Sequence, residues 1–189
     1  VVVLGVREVL TSRTTSLPTV AFRGFDPRFG RFLLVIALFT LGNSTDAFLV
    51  LRAQDGGASV LAILALLAGF NLAYAVLAGP AGALSDRVAR KRVIMGGWLL
   101  YAVVYLGFAW ADRTWQFAGL YALYGAYYAL TDGVAKAYVA DLVPDPGRRG
   151  AAYGAYNGVV GLTVLPASVV AGILWQGVGG WGGLGAQAP

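Results

Sequence analysis

Neither cysteine nor histidine occurs anywhere in this sequence of 189 residues. Their absence excludes a disulfide framework, a thiolate metal site and histidine acid/base chemistry, and no cofactor is expected. Charge is scarce as well: Asp, Glu, Lys and Arg make up 12% of the chain against 58% hydrophobic residues. A soluble domain carries about 25% charged residues, so a water-facing surface cannot be assembled from this composition. A net charge of +5 would suit a nucleic-acid binder if it were gathered on one soluble face. Here the basic residues sit in short connections between long apolar runs, and no nucleic-acid partner is expected. The chain opens at Val1 without an initiating Met, and no charged segment leads into a short apolar core and cleavage site. It reads as an excerpt with no signal peptide.

What is abundant is apolar length. Five stretches, at about 32–51, 60–84, 93–111, 115–139 and 151–176, each approach the ~20 residues that cross a bilayer core. The expected fold is an all-α membrane protein, an antiparallel bundle of transmembrane helices whose immediate partner is the lipid bilayer. Turn residues mark the connections: Asp55-Gly56-Gly57, the basic run from Arg87 to Arg92, Asp112-Arg113, and Pro144-Asp145-Pro146-Gly147. Residues 1–31 begin apolar, as if ending an earlier span, then become polar and arginine-bearing, which suits a cytoplasmic linker. Residues 177–189 are Gly-rich and uncharged, too short to span, and read as a truncated or aberrant tail.

The basic residues alternate in a way that a soluble protein has no reason to produce. Arg7, Arg13, Arg23, Arg28 and Arg31 precede the first span; Arg87, Arg90, Lys91 and Arg92 occupy the second connection; Arg148 and Arg149 occupy the fourth. The first and third connections hold only Arg52 and Arg113. Positive charge is retained on the cytoplasmic side, so the amino end and the second and fourth connections are expected there.

Ionisable groups within spans are the sharpest chemical signal, because one at a helix centre costs about 2.5–3.5 kcal/mol to insert. Asp46, Asp132 and Lys136 qualify. Asp46 is either solvated near the outer interface or engaged with protein or substrate. Asp132 and Lys136 are four apart on one helix face, within ion-pair reach. Helical projection adds Tyr121, Tyr124, Gly125 and Tyr128 to the same arc of about 120°. Such a stripe is either a helix seam closed by one ion pair and tyrosine hydroxyls, or a face lining a substrate cavity. Gly150, Gly154 and Gly158 form a small-residue ridge for close packing or sliding of a neighbour, with Pro166 as a local break. Asn43, Asn71 and Asn157 put one amide on each of three spans, for interhelical hydrogen bonds or for substrate.

The second connection reads Gly82-Ala83-Leu84-Ser85-Asp86-Arg87-Val88-Ala89-Arg90-Lys91-Arg92. It resembles the G-x-L-x-D-R-x-G-R-K signature of the major facilitator superfamily, with Ala89 in place of the usual glycine. The resemblance implies a loop in which Gly82 allows close helix approach, Asp86 accepts hydrogen bonds from a helix N-terminus, and Arg87, Arg90, Lys91 and Arg92 hold the cytoplasmic side. Members have two six-helix halves. The linker-like amino end, the lack of a buried Arg in the fourth span, and residues 144–154, reading P-D-P-G-R-R-G-A-A-Y-G, resemble the second half. The five spans then resemble spans seven to eleven of a partial six-helix half, with the twelfth missing and the amino-terminal six-helix half as missing partner.

What the resemblance implies for function is secondary active transport of a small-molecule substrate by alternating access, with Asp46 and the Asp132/Lys136 face as coupling candidates and proton-coupled efflux as the preferred direction. A non-transporting membrane scaffold or regulatory subunit is the alternative. A membrane enzyme is disfavoured, since the buried carboxylates lie on different helices without histidine.

Overall fold

The first apolar stretch, continuous in hydropathy, folds as two helices. In the computed structural model, which describes residues 24–43, 46–179 and 181–183, α1 covers Pro27–Leu41 and α2 covers Asp46–Asp55. The stretch read from sequence as one span over about 32–51 thus holds a non-helical step at Gly42 and Asn43, while Pro27–Asp55 as a whole is long and apolar enough to cross a membrane. Leu41 gives way to Gly42 and Asn43, two weak helix formers that are not helical here. Gly costs backbone entropy and Asn competes for backbone hydrogen bonds, so an apolar neighbourhood does not carry the helix through them. The reading of 1–23 as linker lies outside the described residues. Of the rest of that stretch, Pro27–Arg31 is already the first turn of α1, started by Pro27 and by Asp26 accepting a hydrogen bond from the Arg28 N–H at 2.7 Å.

Four further helices follow: α3 Val60–Arg87, α4 Arg90–Trp110, α5 Thr114–Leu142 and α6 Pro146–Gln176. Local chemistry explains their starts. Ser59 caps α3 by accepting from the Ala62 N–H at 3.2 Å, and Asp145 caps α6 by accepting from the Gly147 N–H at 2.9 Å, with Pro146 next in line. The Gln116 side chain turns back to accept from the N–H groups of Asp112 and Arg113, each at 2.9 Å, satisfying donors that the first turn of α5 leaves free. After α6 the described part of the tail carries an isolated bridge between Val178 and Trp181 and no helix.

Four helical stretches are long and apolar enough to cross a membrane, with α1 and α2 counted as one; α5, of 29 residues, has the length but not the hydropathy. Its five tyrosines are the reason. Position makes that tolerable, because α5 is the central helix, packed on α3 and α4 and touched by α1 and α6. By contrast, only 11% of the most apolar window of α3 and of α6 is buried. Leu61, Leu64, Leu72 and Val76 of α3, Leu99, Val103 and Leu106 of α4, and Leu162, Leu165 and Val169 of α6 all point outward. Apolar surface on this scale is compatible with hydrocarbon and not with water.

Glycines set the central contacts. A Cβ at Gly125 would lie 2.5 Å from the Phe70 carbonyl oxygen and 2.9 Å from the Ala73 Cβ, so α5 and α3 meet backbone to backbone there. A Cβ at Gly97 would meet the Thr131 methyl at 2.5 Å, bringing α4 onto α5. The ridge of Gly150, Gly154 and Gly158 is open in this bundle: among the described residues nothing lies within 4 Å of a built Cβ at any of the three. The reason is rotational. α6 buries Ala152 and Ala155 and lays Tyr156 parallel to Phe32 of α1 at 6.2 Å, which turns the glycines to the opposite, open side.

Two apolar cores divide the bundle along its length. One joins Leu49 and Ala53 of α2 to Ile63, Val104, Phe117 and Tyr124; the other joins Phe29, Phe32 and Ile36 of α1 to Ile94, Val139, Ala152 and Ala155. The interruption at Gly42 and Asn43 thus assigns α1 to one core and α2 to the other. The basic connections lie together at the α1 end. Arg90 pairs with Asp86 at 3.2 Å and with Asp141 and donates to the Ala137 carbonyl at 3.1 Å, while Arg148 donates to the Gly24 carbonyl at 2.6 Å and covers the Phe25 ring. At the other end Arg52 donates to the carbonyls of Phe108 at 3.0 Å and Ala111 at 2.8 Å. Successive long helices are therefore antiparallel.

Candidate functional site

Where α1 breaks from α2, a cavity of about 530 Å³ opens between the helices. Its polar lining comes chiefly from Asn43, Asp46, Thr131 and Asp132, and its apolar lining from rings and β-branched side chains, among them Phe39, Trp98, Tyr127 and Tyr156. The break is what delivers the polar groups. Asp46 opens α2, where the unpaired N–H groups of a helix start favour a carboxylate. Tyr124 of α5 donates to Asp46 Oδ1 at 2.8 Å and Tyr128 to Oδ2 at 3.1 Å. On the other side of the break, Asn43 Oδ1 accepts from Tyr101 at 3.0 Å and from Tyr105 at 3.4 Å, both on α4. Four tyrosine hydroxyls from two helices thus hold the two ends of the interrupted span.

Asp132 and Lys136 form the ion pair expected from their spacing, at 2.8 Å, and Tyr74 of α3 donates to the second Asp132 oxygen at 3.1 Å. The cavity's two carboxylates therefore differ. Asp132 has its cation beside it. Asp46 has hydroxyls only, and among the described residues no Lys or Arg pairs with it.

The polar arc of α5 is divided by the structure. Tyr128 and Asp132 line the cavity, while Tyr121, Tyr124 and Gly125 lie in the seam with α3 and α4, Tyr124 reaching Asp46 from within the core. Tyr121 packs edge-on to Phe108 at 5.4 Å, and its hydroxyl is buried with no hydrogen-bond partner among the described residues. Asn71 is exposed and bonded to the Leu67 carbonyl of its own helix, and Asn157 is exposed on α6. Pro166 lies inside α6 and outside the cavity lining. Sequence reasoning passed over Trp98, Tyr101, Tyr105, Tyr127 and Thr131. A usable signal existed for two pairs: Tyr101 with Tyr105, and Tyr127 with Thr131, stand four apart and share a helix face.

At the basic end, Gly82 and Asp86 line a separate crevice between α3 and α5. Asp86 accepts from Arg90 rather than from the start of α4, which has no side-chain cap. Ala89 has φ −52° and ψ 121°, ordinary extended backbone that needs no glycine. Arg87, Lys91 and Arg92 are exposed, Lys91 lying over the Tyr138 ring at 5.8 Å.

The family model described as Major Facilitator Superfamily matches residues 29–186, which include every helix but the first two residues of α1. The chain belongs to the Major Facilitator Superfamily. A relative from Methanocaldococcus jannaschii, an uncharacterized MFS-type transporter, is 42% identical over 151 residues, covering 77% of this chain and 38% of the relative. The chain thus spans well under half the length of that curated relative. No solved structure matches it. Family membership together with the outward apolar faces makes this an integral, multi-pass membrane protein of the superfamily.

Proposed function

We propose that the chain is the carboxy-terminal part of a secondary active transporter that moves a small molecule across a prokaryotic cytoplasmic membrane by alternating access. The observation that carries this reading is Asp46: a carboxylate at the start of α2 just after the helix interruption, facing a cavity of about 530 Å³, with tyrosine hydroxyls and, among the described residues, no cation paired with it. Broken helices next to a midplane site are how transporters expose backbone and charge to a substrate inside the bilayer. A carboxylate without a resident cation takes either a proton or a cationic substrate, which couples its charge to transport. The surrounding rings suit an apolar or cationic substrate, and by analogy with the family the proposed mode is proton-coupled efflux. The opposite wall of the cavity comes from the amino-terminal six-helix half, so this chain alone carries no flux. The basic end faces the cytoplasm, with the loop from Gly82 to Arg92 on that side.

Two substitutions in the intact protein test the reading. Asp46→Asn is expected to abolish coupled flux in proteoliposomes under an imposed pH gradient, with the fold retained as judged by gel-filtration profile. Asp132→Asn, whose partner Lys136 remains, is expected to lower flux more mildly. Unchanged flux and pH dependence in both would remove the carboxylates from the mechanism. Absence of flux in the unmodified protein for all substrates tried would favour a scaffold or regulatory role.

A further inference from the structure

In the core that α2 joins, the Tyr121 hydroxyl is buried without a hydrogen-bond partner among the described residues. A polar group left so is destabilising, and one kept in a native core calls for an explanation. The residue is 3% exposed within this chain's own helices, so spans laid on the outside of the bundle could not reach the hydroxyl without displacing one of them. A partner in another conformation therefore comes from groups already at hand. Those near enough to act on it are Asp46 and Tyr105. Tyr105 is neutral and already donates to Asn43. Asp46 is a carboxylate with about four acceptor positions. It takes only Tyr124 on Oδ1 at 2.8 Å and Tyr128, at 3.3 Å on Oδ1 and 3.1 Å on Oδ2.

Tyr121, Tyr124 and Tyr128 fall within about 60° of one another at 100° per residue, a row of three hydroxyls of which Asp46 uses two. α2 runs against the direction of α5: Asp46 at its start meets Tyr124 and Tyr128, and a Cβ at Gly56, just past its end, would lie 2.5 Å from the Phe117 ring. Tyr121 lies between those two levels, in one core with Leu49 and Ala53. The interruption at Gly42 and Asn43 separates α2 from α1, which Asn43 ties to α4 through Tyr101 and Tyr105. Arg52, bonded to the Phe108 and Ala111 carbonyls, fixes the present register.

We propose that Tyr121 is a positioning residue for Asp46 in a second register of α2. A shift of α2 by about 5 Å, one helical turn, toward its Arg52 end hands the carboxylate from Tyr124 and Tyr128 to Tyr121 and Tyr124. One-turn ratchets of one element past another are an established form of switching. Two hydroxyls hold the charge in either register, and the third of the row is left over. In the present register the spare is Tyr121, sealed in the core; in the second it is Tyr128, which lines the cavity. The residue that the shift brings opposite Phe117 is Ala53, whose single methyl asks the ring to turn rather than the backbone to move. The shift carries Asp46 along the cavity wall. Its bearing on transport rests on Asp46 being the transport carboxylate; the register change itself does not.

The test uses the intact protein in lipid nanodiscs, with any thiols outside this region replaced by serine. Spin labels at Gln54→Cys and Asp145→Cys, at opposite ends of the bundle, are read by double electron–electron resonance. Two distances about 5 Å apart are expected, the longer from the second register. Tyr121→Phe should lower the population of the longer relative to the shorter by about tenfold or more, the factor carried by one hydrogen bond to a charged group. With Asp46→Ala already present, the same substitution should change that ratio less than about twofold. Arg52→Ala, which releases the present register, should move the ratio the other way. Labels at Leu38→Cys, exposed on α1, and Asp145→Cys should give one distance throughout. Tyr121→Phe should also melt no lower than the unmodified protein, since the hydroxyl it removes has no partner here. A single Gln54–Asp145 distance in the unmodified protein, a ratio that Tyr121→Phe leaves unmoved or moves equally without Asp46, or a 5 Å change in the Leu38 pair would each overturn the proposal. A melting loss as large as that of Tyr124→Phe would overturn it too. Loss of flux in Asp46→Asn alongside a single distance would leave the transport reading standing and this one refuted.

Discussion

Tyr124 donates its hydroxyl to Asp46 at 2.8 Å across 78 residues of sequence, tying the middle of α5 to the first turn of α2. The tyrosine is 1% exposed, whereas Asp46 is open to the cavity, so the bond joins the packed core to the site. Tyr124→Phe removes one hydrogen bond to a charged group while preserving the ring. Bonds of that type contribute about 1.5–3 kcal/mol, so unfolding of the intact protein in mixed micelles should show a loss of that order. Tyr128→Phe, at the more open oxygen, should cost less. Equal effects from the two would mean that the buried bond has no special weight.

The close approach of α3 and α5 at Gly125 gives a sharper contrast. Gly125→Val would drive a side chain into the Phe70 carbonyl, and overpacking of a tight core costs about 1–3 kcal/mol or more. Gly154→Val meets open space on α6 and should stay within about 0.5 kcal/mol in unfolding of this chain's bundle. Folded yield in membranes and unfolding midpoint measure both. If Gly154→Val proves the more damaging, the ridge is covered in the intact protein.

These two glycine sites show what could be read from sequence and what could not. Gly154 reads as part of a small-residue ridge, Gly125 only as a member of the polar arc of α5. The pattern states that a surface can be approached, not that anything approaches it, and only the rotation of α6 decides that Gly154 faces outward. The spans were legible because 20-residue apolar runs have one use, and the Asp132/Lys136 pair because a spacing of four is local geometry. The break after Leu41 was hidden by averaging: apolar residues continue on both sides of Gly42-Asn43, and a window long enough to detect a span smooths over the interruption. The Tyr124–Asp46 bond was equally out of reach, since it depends on which helix α2 packs against after the break. Span membership of α5 was read from length, while its tyrosines, which lower its hydropathy, record a central position that periodicity alone could not separate from a cavity face.

Arg52 holds the far end of the bundle. Its guanidinium donates to the carbonyls of Phe108, Ala109 and Ala111, at 3.0, 3.4 and 2.8 Å, satisfying acceptors that the end of α4 leaves free, and it lies 6.0 Å from the Phe117 ring centre. Arg52→Ala should destabilise by about 2 kcal/mol. Arg52→Lys should recover only part of this, because an ammonium cannot reach several carbonyls in the plane of a fork. Chemical unfolding of the three forms checks the order.

Arg90 does at the near end what Arg52 does at the far one, but with acids. It bridges Asp86 of α3 and Asp141 of α5 from the first turn of α4. Both carboxylates are more than half exposed, which keeps each pair to about 1 kcal/mol or less. Arg90→Asp alone should therefore weaken the bundle modestly, while adding Asp141→Arg should restore most of the loss. A double variant no better than the single one would show that the Ala137 carbonyl bond, not the ion pair, is what Arg90 supplies.

The absence of cysteine from the chain makes its orientation testable without background thiols from this region. Asp145→Cys lies in the connection beside Arg148, and Gln54→Cys lies at the end of α2 beside Arg52; both positions are exposed. With the basic end in the cytoplasm, a membrane-impermeant maleimide added to intact cells should label the Gln54→Cys protein and spare Asp145→Cys, and inverted vesicles should reverse the pattern. The two positions are at opposite ends of an antiparallel bundle, so labelling of both from one side would contradict the membrane-spanning arrangement itself. Labelling of Asp145→Cys alone from outside would keep the arrangement and invert its orientation.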